Sequence, residues 1–252
     1  MIVLAAHGTR DPAGPAVIEE LADRVRARGE SVTVAYADVR EPDVTTVLDG
    51  LAARDGVGEL VVVPAFLAAG YHVRADIPAQ IAASALPRTP MTAAFGPAPE
   101  LIDVLVDRMR QAGYRTGDAV VLGAAGSSDP RALDEVSAAA RALGAEVSAA
   151  ARALGARLGG PVRIGYAATA APSVADAVAE ARRDGRRVVV ASWLLAPGLF
   201  QQRLEEAGAD AVSAPLGAHP AASDLVLRRC AEARAGRWDR SAGRDRTVRL
   251  AV

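Results

Sequence analysis

Short apolar runs alternate along the chain with longer segments in which apolar residues recur at helical spacing. The run at residues 2–6 predicts a buried strand, and the stripe of Val17, Leu21 and Val25 predicts a helix over residues 15–28. The alternation continues, with strands predicted at 32–37, 60–66 and 91–95 and helices at 44–54, 77–85 and 100–112. Strands separated by helices pair in parallel, so this half predicts an α/β fold with a four-stranded parallel sheet.

The pattern begins again near residue 120. Strands are predicted at 120–123, 162–166, 188–193 and 211–214, and helices at 130–158, 174–184, 201–207 and 221–233. The second half is also similar in sequence, because residues 3–12 align with 121–130 and residues 61–70 with 189–198. We therefore predict two tandem domains of common origin, 1–116 and 117–234. Residues 235–252 are polar and rich in small residues, and they predict a flexible tail.

A tandem duplication lengthens the second half. Residues 135–145 recur without a change as residues 146–156. An insert of 11 residues adds about three helical turns, so it extends a helix while nearly keeping the same face apolar. We interpret the duplication as a longer, Ala-rich helix, with a new interaction helix as the less favoured alternative.

The two halves differ most in their ionisable residues. Turn residues such as Gly8 and Gly70 have identical partners, Gly126 and Gly198. Ionisable residues of the first half have neutral partners in the second, in the pairs His7–Ala125, Arg10–Ser128, Asp38–Ala168, Arg40–Ala170, Glu41–Ala171, His72–Phe200, Arg74–Gln202 and Asp76–Leu204. Each of these positions follows a predicted strand, at the sheet edge where α/β proteins bind ligands. The comparison predicts one reactive half and one scaffold half.

The residue types at this edge limit the chemistry. Two histidines with nearby carboxylates suit a borderline divalent metal, and two protein nitrogens leave coordination positions open for a metal in transit. His7 and His72 could also accept protons, and Arg10, Arg40 and Arg74 suit a substrate with several carboxylates. Plainer roles remain open: either histidine could be a hydrogen-bonding residue at a strand end, and each arginine could be a solvated loop residue.

Two further polar residues have plainer interpretations. Asp11 precedes a proline and a helix, so it is expected to be an N-cap. His219 follows the last predicted strand and is expected in a surface turn, although it could reach a cleft between the halves.

Composition excludes several classes of protein. The net charge of -1 provides no basic field for nucleic acid or an anionic membrane, and no apolar run approaches the ~20 residues that span a bilayer. All 29 basic residues are arginines, so a phosphate-binding loop with its lysine is excluded. No dinucleotide fingerprint and no Ser or Cys nucleophile motif appears. A single cysteine, Cys230, and no charged N-terminal region of a signal peptide lead us to expect a cytoplasmic protein.

Three segments of the first half resemble signature segments of the class II sirohydrochlorin chelatases. They are Ala-His-Gly-Thr-Arg-Asp at 6–11, Val-Arg-Glu-Pro at 39–42, and residues 67–78, which contain Gly-Tyr-His-Val-Arg-Ala-Asp-Ile-Pro. The second half resembles the degenerate repeat of two-domain members. The resemblance implies two chelatase-like α/β domains around a shared cleft. It also implies insertion of Fe²⁺ or Co²⁺ into sirohydrochlorin, a tetrapyrrole rich in carboxylates, for siroheme or cobalamin biosynthesis.

The resemblance also implies roles for single residues. By position, His7 and His72 would hold the metal, which is a substrate and not a permanently bound cofactor, and would accept pyrrole protons. Asp38 and Glu41 fall where the family often has an acidic residue, with Asp38 in place of the expected Glu. A monomer is expected because the duplication supplies within one chain the pairing of two single domains. Two alternatives stay open: a tetrapyrrole or metal carrier without turnover, and a chelatase for another metal such as nickel, since imidazole binds several divalent metals.

Overall fold

The first half of the chain is built on a small parallel sheet. The computed structural model describes residues 1–56, 58–126 and 136–248. Three strands, β1 (Ile2–Ala6), β2 (Val32–Tyr36) and β3 (Val61–Pro64), pair in the order β2-β1-β3. Nearly all of their residues are buried, as expected where helices cover both faces of a parallel sheet.

The second half repeats this sheet with one more strand. Its strands are β4 (Ala119–Ala124), β5 (Val162–Tyr166), β6 (Val188–Trp193) and β7 (Ala211–Val212), all parallel, in the order β5-β4-β6-β7. Four strands were predicted in each half. In the first half, the fourth is reduced to Met91, which forms a single bridge to Val62. Pro90 lacks an N–H, so the ladder does not extend toward the start of the segment.

Helices follow the strands in the predicted order. They are α1 (Ala13–Arg26), α2 (Val44–Ala52), α3 (Ile77–Ala83), α4 (Pro99–Gln111), α5 (Val136–Leu158), α6 (Val174–Arg182), α7 (Leu199–Glu205) and α8 (Pro220–Val248). The second copy of the duplicated segment, residues 146–156, lies within α5, as predicted. Residues 130–135, the predicted start of that helix, lie outside the described residues.

Helix α8 corrects the predicted boundary of the tail. The helix was expected to end at residue 233, but it continues to Val248 through most of the segment predicted as flexible. Arginine is frequent after residue 233 and no proline interrupts the segment, so helical backbone is favoured there. Residues 249–252 lie outside the described part of the chain. No helix within that part is long and apolar enough to cross a bilayer.

The last helix of each repeat packs on the other repeat. Helix α4, which ends the first repeat, contacts β6 and α5, whereas α8, which ends the second, contacts β3 and α1. One continuous core between the two sheets therefore contains residues of both halves, among them Leu4, Leu21, Leu105, Leu122 and Val226. Separate cores lie on the outer faces, where α2 and α3 cover the first sheet and α6 and α7 the second. The boundary near residue 116 thus divides two repeats but not two separately packed bodies.

Arginine pairs reinforce the contact of α8 with the first half. The Arg234 guanidinium binds both oxygens of Glu30, at 2.6 and 3.0 Å, and Arg228 binds both oxygens of Glu100 on α4. The hydrogen bonds from Arg234 lower the pKa of Glu30, so this carboxylate stays charged at neutral pH.

Candidate active site

The carboxyl ends of β1 and β3 bring two histidines together. His7 directly follows β1, and His72 begins a short π-helical turn, His72–Asp76, that leads into α3. Their ring centroids are 4.4 Å apart, with the ring planes inclined by 57°. The ring of Phe66 flanks both, at 6.2 Å from His7 and 6.1 Å from His72. The pair singled out by comparing the repeats is thus a single cluster in the folded chain.

Asp76, which the comparison of the repeats placed at the same sheet edge without a role, holds His72 by a hydrogen bond. The Nδ1 atom of His72 lies 2.5 Å from Oδ2 of Asp76, and about a quarter of each side chain is exposed. The turn that places them is closed by a hydrogen bond from the N–H of Ile77 to the carbonyl of His72. The sequence signal that marks Asp76 is its neutral counterpart in the second repeat, Leu204.

Desolvation by neighbouring protein atoms lowers the pKa of His7 and so favours its neutral form. The residue is exposed at the surface of the site, but surrounding protein atoms desolvate its ring, and this is the main reason that its pKa lies below the usual 6.5. Charge on His72 also lowers the pKa of His7. A hydrogen bond with the backbone of His7 itself raises this pKa, and so do the negative charges of Asp38 and Asp76. A neutral imidazole has a free electron pair for a metal ion or a proton.

A glycine allows the loop after β2 to approach this pair. Gly8 has a positive φ of 88°, and a Cβ at this position would lie 2.1 Å from the carbonyl oxygen of Asp38. The N–H of Asp38 also donates to the carbonyl of His7 at 3.1 Å. Asp38 is therefore beside the pair, whereas the carboxylate of Glu41 accepts the N–H of Asp43 at 3.0 Å, at the start of α2. Of the two predicted acidic helpers, the fold brings Asp38 next to His7.

The three predicted arginines are exposed. Arg74 donates from Nε to the carbonyl of Ala69 at 2.6 Å, and Arg40 donates to the carbonyl of Thr9 at 3.3 Å. Arg10 makes no hydrogen bond to another described residue, and none of the three forms an ion pair with one. Their positive charges are thus available to a negatively charged ligand.

Two plainer predictions concern residues at helix starts. The carboxylate of Asp11 accepts the N–H of Ala13 at 2.9 Å, but Pro12 is the N-cap of α1, so the expectation that Asp11 is the N-cap is wrong by one residue. His219 accepts the N–H of Ala221 on Nδ1 at 3.2 Å, at the start of α8. Burial and the nearby Arg108 lower the pKa of His219. Both residues are explained by local structure.

The second repeat keeps the backbone of the site without its chemistry. Gly126 also has a positive φ, 80°, and a Cβ there would lie 2.7 Å from the carbonyl oxygen of Ala168. Ala125 and Phe200 stand where the first repeat has its histidines. Among the residues that the structure describes, no group of three or more His, Cys, Asp or Glu side chains could hold a metal ion. The described residues of both repeats therefore contain no closed protein cage for a metal ion.

The two halves contact each other at residues that are close in sequence to the histidines. Glu146, on α5, accepts the N–H of Ala69 at 3.0 Å, and a Cβ on Gly198 would lie 3.7 Å from the carboxylate of Asp11. Three large apolar side chains are exposed in the described part of the chain: Val39, Tyr71 and Leu199, by 49, 53 and 60%. Val39 follows Asp38 and Tyr71 precedes His72, while Leu199 is the equivalent of Tyr71 in the second repeat.

Comparisons with known proteins agree with this architecture. The family model described as CbiX matches residues 1–112 and again residues 119–233. The sirohydrochlorin cobaltochelatase of Methanopyrus kandleri is 42% identical over 79 residues, which are 31% of this chain and 54% of that protein. The corresponding protein of Methanothermobacter thermautotrophicus is 37% identical over 78 residues, again 31% of this chain and 54% of the relative. The chain spans about half the length of these curated relatives.

Solved structures share the fold over nearly the whole chain. SirB from Bacillus subtilis, solved with Fe³⁺, has a TM-score of 0.74 at 21% identity and covers 92% of this chain and 94% of its own. A CbiX described as the terminal enzyme for biosynthesis of siroheme in denitrifying bacteria has a TM-score of 0.67 at 23% identity, with coverages of 92 and 98%. The two matches to the family model cover both repeats, and so the chain belongs to the CbiX family.

Proposed function

We propose that this chain inserts a divalent metal, Fe²⁺ or Co²⁺, into sirohydrochlorin. The observation that carries the proposal is the pair His7 and His72, with ring centroids 4.4 Å apart at the ligand-binding edge of a parallel sheet. Curated relatives that match 31% of this chain are named sirohydrochlorin cobaltochelatases, and SirB structures have been solved with Fe³⁺ and with cobalt.

Two imidazoles suit a metal ion that must be passed on. With His7 and His72 as ligands, the ion keeps other coordination positions for water and then for the pyrrole nitrogens of the macrocycle. A cage of three or four protein ligands would bind the ion more tightly and retain it. The lowered pKa of His7 leaves its nitrogen unprotonated at neutral pH, so the ion does not compete with a proton for it.

The same imidazoles couple metal transfer to proton transfer. Insertion replaces two pyrrole N–H protons by one divalent ion, so two protons must leave the macrocycle. An imidazole that accepts one of them loses the electron pair that held the metal, and it therefore releases the ion toward the ring. Asp38, next to His7, stabilises the imidazolium formed there and gives the proton a route to solvent.

Charge and apolar surface around the pair fit a flat, polycarboxylate ring. Arg10, Arg40 and Arg74 have no ion-pair partner among the described residues, so they are free to bind substrate carboxylates. The exposed Tyr71 and Leu199 offer apolar surface to the faces of the macrocycle.

The proposal is tested by metal insertion into sirohydrochlorin, followed by the change in macrocycle absorbance. We expect turnover with Fe²⁺ or Co²⁺, and its loss in His7→Ala and His72→Ala. His219→Ala, which removes a histidine outside the site, serves as the control and keeps the activity. Rates near wild type in both site variants would refute the assignment. Binding of one equivalent without turnover would indicate a carrier, and turnover with Ni²⁺ alone a nickel chelatase.

We also infer that the enzyme acts as a cytoplasmic monomer. The two halves share one core, so the single chain already contains the pairing of two domains. Its one cysteine, Cys230, is free and buried, which suits a reducing compartment. Sedimentation of the purified protein at the mass of one chain supports the first point, and recovery of the native enzyme in the cytosolic fraction supports the second.

A further inference from the structure

We propose that Asp76 is a positioning residue that fixes the tautomer of His72, so that the Nε2 atom of this ring always has its electron pair free for the incoming metal ion. This inference rests on the proposed role of His72 as a metal ligand. It adds a residue that acts through His72 and does not itself touch the metal.

The hydrogen bond between the two side chains determines where the proton of the neutral ring lies. A neutral imidazole has one N–H and one free electron pair, and a carboxylate can only accept. The separation of 2.5 Å between Nδ1 of His72 and Oδ2 of Asp76 therefore requires the proton on Nδ1. Nε2 is then the unprotonated nitrogen. Without the carboxylate, the ring could place its proton on Nε2, and that nitrogen could not bind a metal.

The fold holds Asp76 at this position. The π-helical turn places the carboxylate four residues after the histidine, and the N–H of Ile77 closes the turn on the carbonyl of His72. Val73 and Ile77 are buried and anchor the turn in the protein. Only about a quarter of either ionisable side chain is exposed, so water competes weakly for the hydrogen bond.

Two comparisons within the chain support the assignment. In the second repeat, Phe200 replaces the histidine and Leu204 replaces the carboxylate, so both are absent together. His219 shows the opposite arrangement, because its Nδ1 accepts the N–H of Ala221 at 3.2 Å and its proton must be on Nε2. The protein thus contains an internal reference for the other tautomer.

The test uses Asp76→Leu, which removes the acceptor and keeps the branching at Cγ, and Asp76→Asn, whose amide oxygen can still accept. Side-chain ¹⁵N NMR of the metal-free protein, at a pH where all three histidines are neutral, reports which ring nitrogen has the proton. His7→Gln assists assignment. Titration with Co²⁺ alone, followed by its visible absorbance, gives the dissociation constant without any tetrapyrrole.

We expect the Nδ1–H form of His72 in wild type and in Asp76→Asn, with His219 as the Nε2–H reference. In Asp76→Leu, the Nε2–H form should appear and Co²⁺ should bind about 10–100-fold more weakly. The proposal is overturned if Asp76→Leu keeps the Nδ1–H form or the wild-type Co²⁺ affinity. It is also overturned if Asp76→Asn keeps the tautomer but binds Co²⁺ as weakly as Asp76→Leu. Absence of turnover with sirohydrochlorin would refute the proposed function and leave these two results standing.

Discussion

Substituting Gly8 by Ala should lower both the stability and the activity of the protein, whereas the same substitution at its counterpart in the second repeat should lower the stability alone. The φ of 88° at Gly8 is unfavourable by about 1–2 kcal/mol for a residue with a side chain. The added Cβ of Gly8→Ala would also lie 2.1 Å from the carbonyl oxygen of Asp38, so the two loops must separate by about 1 Å to reach a normal contact. His7 is the neighbouring residue, and it would move with the loop.

The second repeat offers a matched control. Gly126→Ala meets the same kind of backbone, with a φ of 80° and a Cβ 2.7 Å from the carbonyl oxygen of Ala168, but Ala125 stands in place of the histidine. Both variants should lose about 2–3 kcal/mol of unfolding free energy, which lowers Tm by roughly 5–10 °C in a chain of this size.

The activities of the two variants should differ. Moving a reacting group by about 1 Å can cost about 100-fold in rate, so we expect Gly8→Ala to lose about that factor in kcat. Gly126→Ala should stay within about threefold of wild type. The assay is insertion of Co²⁺ into sirohydrochlorin at 25 °C, with Tm measured by circular dichroism. Equal activity in the two variants would refute the idea that the loop contact at Gly8 positions His7.

Three further predictions follow from the site and the core. Because the pKa of His7 lies below 6.5, kcat/KM measured against pH should remain high just below that value and fall as the imidazole of the folded protein protonates, and an activity maximum in acid would contradict this. The unfolded chain takes up its proton at the higher, ordinary pKa, so stability should decline from pH 6.5 down to the pKa of His7 in the folded protein. Arg10→Ala and Arg74→Ala should each raise KM for sirohydrochlorin about 10–100-fold with a smaller effect on kcat. The control, Arg54→Ala on a different loop, should change neither KM nor kcat. An unchanged KM in both site variants would exclude Arg10 and Arg74 as ligands of the substrate carboxylates. Arg234→Met should lower Tm by roughly 2–4 °C at neutral pH and leave kcat unchanged. Since the hydrogen bond from Arg234 lowers the pKa of Glu30, the difference in Tm between variant and wild type should vanish as the pH falls and Glu30 protonates. A difference in Tm that persists in acid would assign the effect to packing.

The strands and the reactive half could be predicted because burial leaves a direct trace in sequence. A run such as Ile2–Ala6 is apolar throughout since both faces of the sheet are covered, and the repeat aligns it with Ala119–Ala124. His7 and His72 stood out because the second repeat has neutral residues at their positions. The strand predicted at 91–95 forms only one bridge, at Met91. Apolar periodicity does not show this, because a ladder also requires backbone hydrogen-bond partners.

Other features depend on how elements and side chains are oriented in the folded chain, which the pattern of apolar residues does not show. The spacing of apolar residues shows that α4 and α8 each have a buried face, but it does not show which sheet that face covers. The segment 38–42 offered two carboxylate positions close together, and only the folded loop places Asp38 beside His7 and Glu41 at the N–H of Asp43. The hydrogen bond of Asp76 depends on a π-helical turn, for which sequence spacing gives no rule.

The exchange of α4 and α8 between the repeats affects how the protein can mature during synthesis. The first repeat, with both histidines, is translated before α8, the helix that covers β3 and α1. Until then, the inner face of that sheet lacks part of its apolar cover. The first half therefore depends for its packing on a helix from the second half. A chain that stops before residue 220 would contain both histidines of the site but would lack the helix that covers the sheet supporting them.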